Sequence, residues 1–158
     1  MKKLTILLLL PALLLALASC YGEEVQKETP ATDKEENQMD GTLKMKIADT
    51  DVSVEWEENE SVEALRNLAK GGPVTVQMSM YGGFEQVGYI GTDLPRNDTQ
   101  TVTKSGDIVL YSGDQIVVFY GSNSWAYTRL GHIIDKTDEE MARLLSSGDV
   151  VITLSLEE

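Results

Sequence analysis

The chain has 158 residues, 13 basic and 26 acidic, for a formal net charge of −13. Such a surface repels phosphate backbones and disfavours docking on anionic lipid, so nucleic acid is not an expected partner. A single cysteine, Cys20, leaves no thiol for a disulfide, a thiolate metal site or a redox pair.

In chain order, Lys2 and Lys3 form a positive start. Leu4–Leu17 is an apolar run of 14 residues broken only by Thr5 and Pro11. A spanning helix needs about 20 apolar residues, so the run reads as an export leader rather than an anchor. It ends in Leu17-Ala18-Ser19-Cys20, which resembles the bacterial lipobox. That resemblance implies cleavage after residue 19, lipid on Cys20, and residence on a membrane of the bacterial cell envelope, outside the cytoplasm. Each buried acyl methylene would contribute about 0.8 kcal/mol to anchoring. Tyr21–Gly41 carries Pro30, many acids and no aliphatic pattern. It buries too little apolar surface to offset chain entropy, and it is expected to be a disordered tether. Residues 42–158 suit one domain with one core.

Thr42–Ile47 alternates Leu43, Met45 and Ile47 against Lys44 and Lys46. Asp51–Trp56 alternates likewise, so the two are expected to pair as an antiparallel hairpin. Asn59 or Ser61 is placed to cap a helix with Val62, Leu65, Leu68 and Ala69 as its stripe, ended by Gly71-Gly72. Pro73–Tyr81 reads as a strand with Val74, Val76, Met78 and Met80 on one side, and Gly82-Gly83 turns it into Phe84–Ile90. Gly91–Lys104 is expected to be a long polar loop. Gly106–Tyr111 and Gln115–Tyr120 are dense apolar runs, predicted to be strands buried on both faces. A strand from Trp125 to Ile134 follows. Thr137 and Glu140 form a capping box for a second helix, and Val150–Leu156 closes the sheet. So many short strands predict a mainly β fold, a closed eight-stranded barrel with two short capping helices.

The chain resembles the cyclophilin-like β-barrel family of bacterial proteins. The residues that carry the likeness are Leu94-Pro95, the run Gly106–Tyr111, Gln115–Gly121, Tyr127–Ile133, and Gly148-Asp149-Val150. That family shares its barrel with the prolyl isomerases called cyclophilins. Those enzymes resemble one another in a strand arginine, a phenylalanine-lined pocket and a glutamine near a Gly-Gly-Asp run. Here only Phe84 and Phe119 are present, and Arg66, Arg96 and Arg143 fall on predicted helices or a loop. Arg129 is the one strand arginine, in a different local context. The resemblance therefore implies the barrel without the isomerase chemistry.

Arg129 and Tyr127 share parity on one strand, so they are expected to converge on one ligand. His132 has the opposite parity and joins them only across a bulge. Arginine offers a planar fork for carboxylate or phosphate; the alternative is a pairing with an acid across the barrel rim. Tyr120, Trp125, Met78 and Met80 are expected either to line a pocket or to fill the core. His132 is the only histidine, which makes a poor metal site, and no serine sits in a nucleophile elbow. No catalytic residue, metal or cofactor is expected. The reading is a non-catalytic module binding a small anionic molecule or a peptide at the barrel mouth. The alternatives are a prolyl isomerase acting on exported chains and an accessory subunit of an envelope complex. Oligomeric state is left open.

Overall fold

The computed structural model describes residues 41–157. The leader, Cys20 and the predicted tether up to residue 40 lie outside the described residues. Strands β1 (Thr42–Ile47), β2 (Thr50–Val52) and β3 (Val54–Trp56) lead into helix α1 (Glu60–Lys70). Then come β4 (Val74–Tyr81), β5 (Glu85–Tyr89), β6 (Thr99–Val102), β7 (Asp107–Tyr111), β8 (Gln115–Phe119) and β9 (Ser124–Ile133). Helix α2 (Asp138–Leu145) precedes β10 (Val151–Glu157).

The strands pair in the order β2-β1-β10-β4-β5-β8-β7-β9-β3. Only Ser53 separates β2 from β3, so the two ends of this path belong to one bent segment and the sheet returns on itself. Nine strands on the path thus make eight staves, matching the mainly β barrel with two helices read from the sequence. The detail differs from the expected hairpin. β2 pairs with β1, but beyond Ser53 the segment crosses to β9, with Val54 opposite Ile133 and Trp56 opposite Gly131. Ser53 is held outside the β1 ladder: its N–H donates to Asp135 Oδ1 (3.0 Å) and its carbonyl accepts from Ile134 N (2.9 Å). Gly131 permits the close approach, since a Cβ there would stand 2.7 Å from the carbonyl oxygen of Glu55.

The expected long loop contains a short strand, β6, which pairs Thr99–Val102 with Ser124–Tyr127 of β9. Its Thr-Gln-Thr-Val sequence favours extended backbone, but both faces are largely wet, so no burial pattern announces it. Met80 and Leu68, expected on apolar stripes, are 46% and 36% exposed.

β7 and β8 are buried on both faces, as their sequences predict. Ile108, Leu110, Ile116 and Val118 point into the barrel, where they meet Met45, Met78 and the apolar faces of both helices. Val109, Val117, Phe119 and Tyr127 form a second cluster on the other side of the same strands, with Phe84 and Val87 against it. A barrel of this size is filled by its own side chains. Asn59 caps α1, accepting from Val62 N at 3.0 Å. Ser61, the other candidate cap, instead donates to the Pro95 carbonyl at 2.6 Å. The capping box of α2 forms as expected. Buried Gln86 donates to the carbonyl of Leu145, an acceptor that the end of α2 leaves free, and to that of Gly148 in the connection that follows.

Candidate functional site

The outward cluster continues into a cavity of about 330 Å³. Its floor is Val87, Val117 and Tyr127, and its walls are Tyr81, Tyr111 and Trp125. Glu85, Gln115 and Asn123 supply the polar atoms. The pocket lies on the outer face of the barrel wall, not at the mouth, because the barrel interior is occupied by the main core.

Strand alternation explains the lining. On β5, Glu85 and Val87 face outward while Gln86 and Gly88 face the core. Gly82-Gly83, both with positive φ, reverse the chain so that Tyr81 stands directly across from Glu85. Tyr127 is wedged edge-on between Tyr111 (centroids 6.0 Å apart) and Phe119 (5.8 Å). Its hydroxyl accepts from Asn123 Nδ2 at 3.0 Å. Asn123 is fixed in turn by buried Thr103, whose hydroxyl accepts from Asn123 N at 2.9 Å.

Glu85 is only 5% exposed, and its Oε2 has no hydrogen-bond partner among the described residues. Burial raises its pKa above the ordinary 4.5, and a hydrogen bond from Asn123 does not make up the difference. Burial, and then the charge of Glu85, push the Tyr127 hydroxyl up as well.

Arg129 and His132 belong to a different constellation. A bulge at Leu130 shifts the β7–β9 register between Val109 opposite Arg129 and Ile108 opposite Gly131. The extra residue turns His132 to the outer face, onto the same side as Arg129. Both reach Asp107, whose side chain is 1% exposed: Arg129 Nη2 at 3.3 Å and His132 Nδ1 at 2.9 Å, each to Oδ1. Lys104 N donates to Asp107 Oδ2 at 2.9 Å. The Arg129 Nε also donates to Glu57 Oε1 at 3.1 Å. Burial opposes the charge on Arg129, but Glu57 and Asp107 outweigh it and its pKa is raised.

The expected convergence of Arg129 with Tyr127 is therefore not what the structure shows. Arg129 borders a separate groove with Asn59, Pro95 and Asn97, and does not line the aromatic pocket. Trp125, 57% exposed, and Tyr127, 4% exposed, do share that pocket. Tyr120 packs against the main core, and Met78 lies inside it. The sequence reading missed Glu85, Tyr81, Tyr111 and Asn123. One signal was present: Glu85 is the only charged residue between Lys70 and Asp93, in a chain that is 25% charged.

Among the described residues, no group of three or more His, Cys, Asp or Glu side chains is placed to hold a metal. No described helix is long and apolar enough to cross a membrane.

The family model described as "Cyclophilin-like family" matches residues 45–155. The chain belongs to this family. No curated protein matches it. Among solved structures, McbB in complex with tryptophan superposes with a TM-score of 0.53 at 11% identity, over 73% of this chain and 45% of McbB. This chain thus spans less than half of McbB. The hypothetical protein AF2241 from Archaeoglobus fulgidus gives a TM-score of 0.52 at 16% identity, over 78% of this chain and 99% of that one. At such identities these likenesses speak for the barrel alone.

Proposed function

We propose that this protein is a bacterial envelope lipoprotein whose cyclophilin-like domain holds a small molecule or a peptide segment without catalysing a reaction on it. One observation carries the binding half of this reading. A pocket of ligand size, walled by tyrosines and a tryptophan, contains a buried carboxylate with an oxygen left unpaired. Small-molecule sites have this make-up, a mainly apolar lining with a few convergent polar groups. That McbB, similar in fold, was solved with tryptophan fits a pocket for a small aromatic body. The anionic ligand expected from the sequence drew on Arg129, whose guanidinium is engaged by Asp107 and Glu57. The pocket, not Arg129, is the basis of the reading.

Trp125 on the pocket wall makes its emission the readout. Titration of the purified protein with small aromatic compounds and short peptides is expected to shift that fluorescence saturably, and Trp125→Phe to abolish the shift. A response carried wholly by Trp56 would remove the pocket from consideration. Proline-peptide isomerisation in the presence of the protein is expected to stay at the uncatalysed rate, tens of seconds; acceleration would replace the binding reading with the isomerase one.

The lipoprotein half rests on Lys2, Lys3, the apolar run and Leu17-Ala18-Ser19-Cys20. Cys20→Ala is expected to lose the processed, membrane-bound form on fractionation. A processed Cys20→Ala protein that stays in the membrane would refute it.

A further inference from the structure

The charge of the pocket's ligand follows from what Glu85 lacks. An ionised carboxylate only accepts hydrogen bonds, so the partner missing from Oε2 is a donor. The cost of leaving a buried acceptor unpaired is about 1–3 kcal/mol, more for a charged one. Nothing in the lining compensates, since none of the pocket residues is basic. An anionic ligand would be repelled at close range. A neutral donor would complete the hydrogen bond and leave the charge uncompensated.

The walls point the same way. The faces of Tyr81, Tyr111, Tyr127 and Trp125 carry negative quadrupolar potential, and a cation among them gains cation–π attraction. Tyr81 and Trp125 are 66% and 57% exposed, so they form an open rim above the nearly buried Tyr127 and Glu85. A ligand entering there would lay an apolar stem along the rim and send its polar end to the floor. The net charge of −13 adds long-range attraction for cations. Burial holds the Glu85 carboxyl above its ordinary range, as expected for an acid without a counter-charge.

Resting on the pocket reading above, we propose that this pocket selects a protonated primary or secondary amine on an apolar stem. Its charge sits among the tyrosine and tryptophan rings and pairs with the Glu85 carboxylate that lines the pocket. Oε2 is shut off from solvent in the empty protein, so the N–H reaches it through a rotation of the carboxylate about its terminal torsion. A quaternary ammonium, which has no N–H, satisfies the rings but not the carboxylate. A free arylalkylamine and the lysine side chain of a peptide both present the required group.

The test is a titration of the purified protein at neutral pH, by calorimetry and Trp125 emission. Four probes that share a phenethyl stem are compared: 2-phenylethylamine, its trimethylammonium derivative, the neutral 2-phenylethanol and the anionic 3-phenylpropanoate. A lysine-containing peptide is a fifth arm that separates the two sources. Either the free amine or the peptide is expected to bind at least tenfold more tightly than the neutral and anionic probes. The trimethylammonium form is expected in between. Glu85→Gln keeps the shape and the Asn123 contact, and is expected to remove the tenfold preference of the amine over the neutral and anionic probes. Trp125→Ala is expected to weaken every probe without changing their order. Equal or tighter binding of the neutral or anionic probe, or a preference that survives Glu85→Gln, overturns the amine assignment and leaves the pocket reading standing. No binding by any probe, of any charge, overturns both.

Discussion

Two carboxylates are buried in the outer face of the barrel wall, and their surroundings are opposite. Asp107 accepts from Arg129, from the Lys104 amide and from His132, so both of its oxygens are used. Glu85, about as deeply buried, keeps one oxygen without a partner and is ringed by tyrosines and a tryptophan. A charge whose hydrogen bonds are complete fixes a local structure. A charge whose bonds are incomplete costs stability in the empty protein, and selection retains such groups chiefly where something else completes them. Judged by residue type alone, Arg129 and His132 draw more attention than Glu85. Judged by satisfaction, the order reverses.

The largest effect should come from the satisfied side. Asp107→Ala strands the His132 ring and the Lys104 amide and removes a buried counter-charge of Arg129. Breaking a buried pair costs about 3–5 kcal/mol, and because Arg129 is 37% exposed and keeps Glu57, about 3 kcal/mol is expected by urea unfolding. A loss below that of an ordinary surface substitution would erase the contrast. Glu85→Gln should do the reverse, stabilising the protein by about 1 kcal/mol at neutral pH. The sign follows from linkage. The folded pKa of Glu85 lies above its unfolded value, so its contribution is full below the ordinary 4.5 and is lost as pH rises through the folded value. Wild type and Glu85→Gln should therefore be equally stable in acid and diverge towards neutrality, which paired unfolding curves at the two pH values would show. A difference that grew in acid would contradict it. Arg129→Lys keeps the charge and loses the fork that bridges Asp107 and Glu57, so a loss under about 1 kcal/mol is expected in the same assay.

What the sequence disclosed was local. The alternation of Leu43, Met45 and Ile47, the cap at Asn59 and the Thr137–Glu140 box depend on residues a few positions apart, and all appear where expected. The two-sided burial of Ile116–Phe119 was legible because no polar residue interrupts it. The departures are non-local. Ser53 bends because Asp135 and Ile134 claim its backbone, and neither neighbours it in sequence. His132 shares a face with Arg129 through a bulge that alternation does not encode. Glu85 reads as an ordinary strand-edge acid until Asn123, from the β8–β9 connection, and Trp125, from the start of β9, are brought to the same pocket.

The kink at Ser53 also bears on how the molecule assembles. The stave seam is stitched by bonds between segments 82 positions apart in the chain, so its ordering entropy must be met before those bonds form. The cylinder should zip shut late, after the local hairpins β1–β2, β4–β5 and β7–β8. Asp135→Ala is accordingly expected to quicken unfolding several-fold with little change in the folding rate, whereas a slowed folding limb in the chevron would place the seam at the start of the process.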